Sequence, residues 1–131
     1  MRVLATEEII AVPYYTALGK ATVSPLLAAI CTNILADEAA HLAFQGFVFA
    51  LVAQGRAGWR QQVVNAFHSL FLSGTAVVVW QQHGSVFRAA QVSFGAFHAH
   101  CQEQFRAMVC PARARSAAVA HYSRIQPTTP K

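Results

Sequence analysis

The feature that most restricts how this chain can fold is a pair of polar side chains in an apolar setting. Glu38 and His41 stand three residues apart in the run Ile30-Cys31-Thr32-Asn33-Ile34-Leu35-Ala36-Asp37-Glu38-Ala39-Ala40-His41-Leu42-Ala43-Phe44-Gln45, so on a helix they share one face. Stepping by three and four from Glu38 meets Ile30, Ile34, Leu42, Gln45 and Phe49, the stripe by which an amphipathic helix packs into a core. A carboxylate and an imidazole aimed into such a core are costly unless something pairs with them. The stretch therefore predicts a long helix packed on other helices, with a pairing group, a metal ion among the candidates, at Glu38 and His41.

The remaining segments read as helices too. The first is expected from near Val3 to Leu18, with Pro13 kinking or dividing it near Ala11-Val12 and a stop at Gly19. A short connection then returns the chain antiparallel, and Ser24-Pro25 supplies an N-cap and a first-turn proline. The second helix is expected to reach Gln54 before Gly55, with Gly46 allowing close packing or a slight bend. A third spans Trp59 to Gln82, ends at His83-Gly84, and is apolar nearly all round, which predicts burial on several sides. A fourth covers Ser85 to Val109, with a possible break at Gly95 and a stop at Pro111. No strand-like alternation and no repeat stand out. The expectation is an all-α antiparallel helical bundle in one domain, residues 1–110, followed by a basic, partly disordered tail, 111–131, with a short helix near Ser116–Ser123.

Composition narrows the function classes. The chain is 55% hydrophobic and 11% charged, apolar enough to expect a partner or a second copy over part of its surface. Its net charge of +5 comes mainly from scattered arginines, with a small cluster at Arg113, Arg115 and Arg124. No aromatic–basic interleaving accompanies them, so nucleic-acid binding is not expected. Cys31, Cys101 and Cys110 form no CxxC pair and no metal-ligand spacing; their odd count, together with a Met1–Glu8 stretch that has no apolar leader core, favours a reducing, cytoplasmic setting. Cys31 is expected simply to pack. The apolar run 42–53 is short of the ~20 residues a bilayer span needs, and 63–80 is interrupted by Asn65, His68, Ser69, Ser73 and Thr75. Both read as buried helices, with no transmembrane segment. No Gly-rich phosphate loop and no nucleophile motif are visible.

The five acids are Glu7, Glu8, Asp37, Glu38 and Glu103. Glu8 shares a face with Leu4, Val12 and Tyr15, and Glu7 with Leu4, Ile10 and Tyr14; Glu8 is favoured as the inward one. From a loop centre near Ala21, Glu8 is thirteen residues back and Glu38 seventeen forward, so at ~1.5 Å per residue they reach similar heights. One hairpin thus presents Glu8, Glu38 and His41 to a common point, a donor set suited to iron or manganese and less specifically to zinc. Tyr14, Tyr15, Phe44 and Trp80 are available to shape a dry pocket, or are ordinary core aromatics. His68 is expected to be a hydrogen-bonded core histidine rather than a ligand. His98 and His100 point to different faces, and His83 is read as a turn residue.

The segments Glu7-Glu8-Ile9-Ile10-Ala11-Val12-Pro13-Tyr14-Tyr15 and Asp37-Glu38-Ala39-Ala40-His41-Leu42-Ala43-Phe44-Gln45 together resemble the second half of a ferritin-like di-iron carboxylate domain. The resemblance covers roughly residues 3–54, and 59–109 looks like the C-terminal helical extension of some bacterial members. It implies Glu8 (or Glu7) as the single-Glu ligand, Glu38 as a carboxylate bridging two irons and His41 as a terminal ligand. It further implies an oxygen-activating oxidase or oxygenase, or an iron-oxidising protein, using dioxygen and a small-molecule substrate. A complete site of this kind needs four carboxylates and two histidines, whereas this sequence has one Glu-x-x-His, and Glu103 does not rebuild the motif. Either a homodimer completes the site, each copy giving three ligands, or the chain is a metal-free interaction protein or truncated remnant without activity of its own, in which Glu38 pairs with His41 or an arginine such as Arg60.

Overall fold

The structure, a computed structural model, describes residues 2–53 and 58–109. Among them are four helices and no strand: α1 (Arg2–Ala21), α2 (Pro25–Ala53), α3 (Gly58–Ala89) and α4 (Phe94–Val109). The all-α bundle expected from the sequence is what forms. The expected stop at Gly55 and the tail 111–131 lie outside the described residues.

α1 runs through both of its expected breaks. Pro13 lies inside it, removing one backbone bond, but Ile9, Ile10 and Ala17 on either side are buried, and that burial holds the helix through the proline. Gly19 is not a stop either. A Cβ there would meet the Cys31 side chain at 3.4 Å, an ordinary van der Waals contact, so α1 passes Cys31 of α2 closely here without the site requiring a glycine. The turn 22–24 behaves as Ser24-Pro25 predicts: Ser24 Oγ accepts from Leu27 N–H at 3.4 Å and its carbonyl from Ala28 N–H at 3.0 Å, leaving Pro25 as first helical residue.

The end of α3 differs from expectation. His83 has φ −119° and ψ 15°, a kink rather than a stop, and the helix resumes to Ala89. The cause is Phe87, fully buried and stacked on Trp80 at 5.0 Å and against Phe97 at 4.5 Å. The true stop follows, where Val92 N–H bonds Phe87 O at 2.8 Å and Gln91 N–H bonds Arg88 O at 3.0 Å. Gln91 has φ 58°, the left-handed residue of a Schellman turn where glycine is usual. Ser93 then caps α4, so residues 85–89 belong to α3, and Gly95 falls in the first turn of α4. A Gln91→Gly variant is expected to gain up to about 1 kcal/mol in urea unfolding, because it removes the left-handed strain; an equal loss would count against this account of the turn.

Cross-helix pairs give the topology. Glu8–Gln45 and Gly19–Cys31 set α1 antiparallel to α2. Thr6–His68 and Tyr14–His83 set it parallel to α3, and Ser69–Gln102 with Ser73–His98 sets α3 antiparallel to α4. The result is an up-down-up-down bundle. α1 packs on all three other helices, and the core gathers Ile9, Phe49, Leu72, Phe87, Phe97 and Phe105.

The expected burial of α3 on several sides is not found. His68, Leu72 and Ala76 face the core, while Phe67 and Leu70 are 71% and 70% exposed. A helix apolar all round has no preferred face, so the bundle buries the one stripe that fits and leaves the rest outward. Length and composition alone do not support the expected lack of a membrane span. Pro25–Ala53 and Gly58–Ala89 each hold an 18-residue window apolar enough to cross a bilayer by those measures alone, little of it buried. The polar residues that interrupt 63–80 are outweighed by the Val, Leu and Phe between them.

Candidate metal centre

The antiparallel register of α1 and α2 sets two helix faces opposite one another. Leu4, Glu8, Ala11 and Tyr15 line an open groove of about 680 Å³ from α1, and Glu38, His41, Phe44 and Gln45 line it from α2. Along it the structure brings Glu8, Glu38 and His41 together, one ligand atom from each lying within 4.8 Å of the others. His41 Nδ1 is 3.9 Å from Glu8 Oε1 and 3.8 Å from Glu38 Oε2. Ligand atoms bound to one ion at ~2.1 Å sit ~3.0–3.4 Å apart, so the two His41 distances would each have to close by less than about 1 Å for a metal to be held. Glu7 is exposed on the groove's edge and outside this cluster.

Two observations bear on whether a cation fits. Glu38 Oε2 is buried without a hydrogen-bond partner, and so is Gln45 Oε1 beside it in the groove lining. Buried acceptors without a donor are costly, and a cation held between carboxylates and an imidazole removes that cost for Glu38. The donor set, two carboxylates and one imidazole, fits iron or manganese. Arg60 lies over the Trp59 ring, 5.3 Å from its centroid, and no arginine pairs with Glu38 among the described residues.

Gln45 is the residue whose role sequence reasoning missed. It is buried and donates from Nε2 to Glu8 Oε2 at 2.6 Å, fixing the carboxylate's orientation as outer-shell partners do. The signal was present: Gln45 lies one turn beyond His41 on the stripe of Glu38, where an amide has no reason to be buried unless it is bonded.

Burial raises the Glu8 carboxyl above its usual range, partly offset by the Gln45 hydrogen bond and by nearby His41. A carboxyl whose folded pKa lies above its unfolded value binds protons more tightly when folded. Without metal, its contribution therefore falls as pH rises from about 4.5 through the raised value, and then levels off. Glu8→Gln is expected to flatten that part of the metal-free stability profile and to raise stability at pH 7. Urea midpoints at pH 4.5, 5.5 and 7 check it; an unchanged slope would discount Glu8 as its source.

The other sequence candidates separate. Tyr15 and Phe44 line the groove, whereas Tyr14 packs on His83 at 5.0 Å and Trp80 belongs to the Phe87 cluster. His68 is the bonded core histidine expected, buried with Nε2 2.9 Å from Thr6 Oγ1. His98 meets Ser73 Oγ at 2.9 Å, within a polar seam with Ser69 and Gln102 that sequence reasoning did not find. His100 faces Gln104 at 3.4 Å. Cys31 packs, as expected, and Cys101 is buried with its thiol pushed up to about 12 by desolvation. No family model, curated protein or solved structure matches the chain.

Proposed function

We propose that this chain is a metal-binding helical protein in which Glu8, Glu38 and His41 hold iron, with manganese the alternative, as half of a two-metal site. The observation that carries the reading is the meeting of three ligand atoms within 4.8 Å around a buried carboxylate oxygen that accepts no hydrogen bond, at an open groove. Three protein donors leave a metal's coordination incomplete, and a second copy placing its own groove opposite supplies the other three. A di-iron centre so formed would supply oxygen activation, the ferritin-like oxidase or oxygenase chemistry. The chain's own part is to orient Glu8 through Gln45 and to flank the site with Tyr15 and Phe44. The unpaired cysteine count supports a cytoplasmic setting.

Anaerobic Fe(II) loading followed by metal analysis and a mass measurement tests this. About two irons per dimer is the expected result. A folded chain that takes up no stoichiometric metal returns the reading to a metal-free helical interaction protein.

A further inference from the structure

We propose that the outward face of α3 docks on an anionic lipid bilayer, the helix lying along the membrane surface rather than crossing it. Val63, Phe67, Leu70, Phe71, Val77 and Val78 are each exposed, between 41% and 71%. Steps of three and four residues join Val63, Phe67, Leu70 and Phe71, and a seven-residue step of two turns, past the exposed Gly74, brings in Val77 and Val78 on the same side; the stripe is ~22 Å long at ~1.5 Å per residue. Single exposed apolar residues are ordinary, but a contiguous stripe of this size marks an interaction surface. The opposite side of α3 is occupied by the core through His68, Leu72 and Ala76, so the stripe is wholly outward.

Charge selects the occupant. From Gln61 to Phe87, α3 has no Asp, Glu, Lys or Arg, and the bounding cations Arg60 and Arg88 are both exposed. Trp59 is exposed beside Arg60, with the guanidinium over its ring. Tryptophan and arginine at the rim of an apolar surface are groups that settle at headgroup level. No acid occurs between Glu38 and Glu103, and the chain carries +5 overall, which complements anionic headgroups. A second copy suits this face less well: a two-fold antiparallel α3 pair sets Arg60 against its mate's Arg88 with no carboxylate on either helix, and like charges so placed oppose association. Crossing the bilayer is disfavoured because Glu7, Lys20, Asp37 and Arg106, exposed on the other three helices, would be carried into the hydrocarbon.

Flotation of the full metal-free chain with phosphatidylcholine vesicles, and with vesicles in which a quarter of the lipid is phosphatidylglycerol, tests the proposal without reference to the metal site. Binding to the anionic vesicles, weakened by 0.5 M salt, is expected. Phe67→Ser with Leu70→Ser, both at exposed positions and checked for helicity by circular dichroism, is expected to lower the partition constant at least about tenfold. Arg60→Gln with Arg88→Gln is expected to abolish the preference for anionic lipid. Failure of the folded protein to float overturns the proposal, as does flotation undiminished in the Phe67/Leu70 variant. A wild-type dimer that does not float, and that the same variant splits in sedimentation velocity, overturns it in favour of a second copy.

Discussion

His41→Ala and Glu38→Ala are each expected to weaken Fe(II) or Mn(II) binding by at least about a hundredfold in an anaerobic titration. Outer-shell changes alone cost 10–100-fold, and each of these removes one of the three proposed donors found among the described residues. The three variants at the site should be distinguishable. His41 is mostly exposed, so its loss should leave urea stability within ~0.5 kcal/mol. Glu38→Ala removes a buried oxygen without a donor and should leave the metal-free chain as stable as before or more so. Gln45→Leu keeps all three ligands but frees Glu8 from the 2.6 Å bond that orients it, and should cost 10–100-fold in affinity. Wild-type affinity retained in His41→Ala would remove imidazole ligation and with it the three-donor reading.

The largest stability effect is expected at Phe87. It is fully buried, stacked on Trp80, 4.5 Å from Phe97 and 6.1 Å from Tyr14. Phe87→Ala should therefore cost about 3–5 kcal/mol, the lost transfer energy plus a cavity between α1, α3 and α4. Against a total stability of roughly 5–15 kcal/mol that is a large share. Phe67→Ala, the same change at a position 71% exposed, is the control and should shift stability by less than about 0.5 kcal/mol. Urea unfolding of both compares them directly. A Phe87 effect below about 1 kcal/mol would mean that the kinked end of α3 is not held by this cluster.

The hairpin was readable because its signals are local. Ser24 and Pro25 are chemically suited to start a helix, a short connection leaves little choice but an antiparallel return, and the stripes of Glu8 and Glu38 could be counted. Counting favours Glu8 but does not separate it cleanly from Glu7, since each shares a side with apolar residues; the structure buries Glu8 and leaves Glu7 exposed. What was not readable depends on contacts distant in sequence. The helix crosses His83-Gly84 because Phe87 finds Trp80 and Phe97, and it ends at a glutamine in a glycine's conformation, which no local preference announces. The outward side of α3 was invisible for a different reason: where every face is apolar, periodicity does not say which one the bundle will use.

The closeness of Gly19 to Cys31 and of Glu8 to Gln45 means that the proposed metal centre depends on phase more than on loop length. Residue numbers paired across the hairpin sum to nearly the same value along its length, so α1 and α2 run past one another without slippage. Extending the turn at 22–24 leaves that pairing intact. A one-residue insertion within α1 between Glu8 and Gly19 would turn Glu8 by about 100° about the helix axis, away from Glu38 and His41. The centre is in that sense written in the winding of two helices, and its tolerance to insertion should change abruptly at the helix ends.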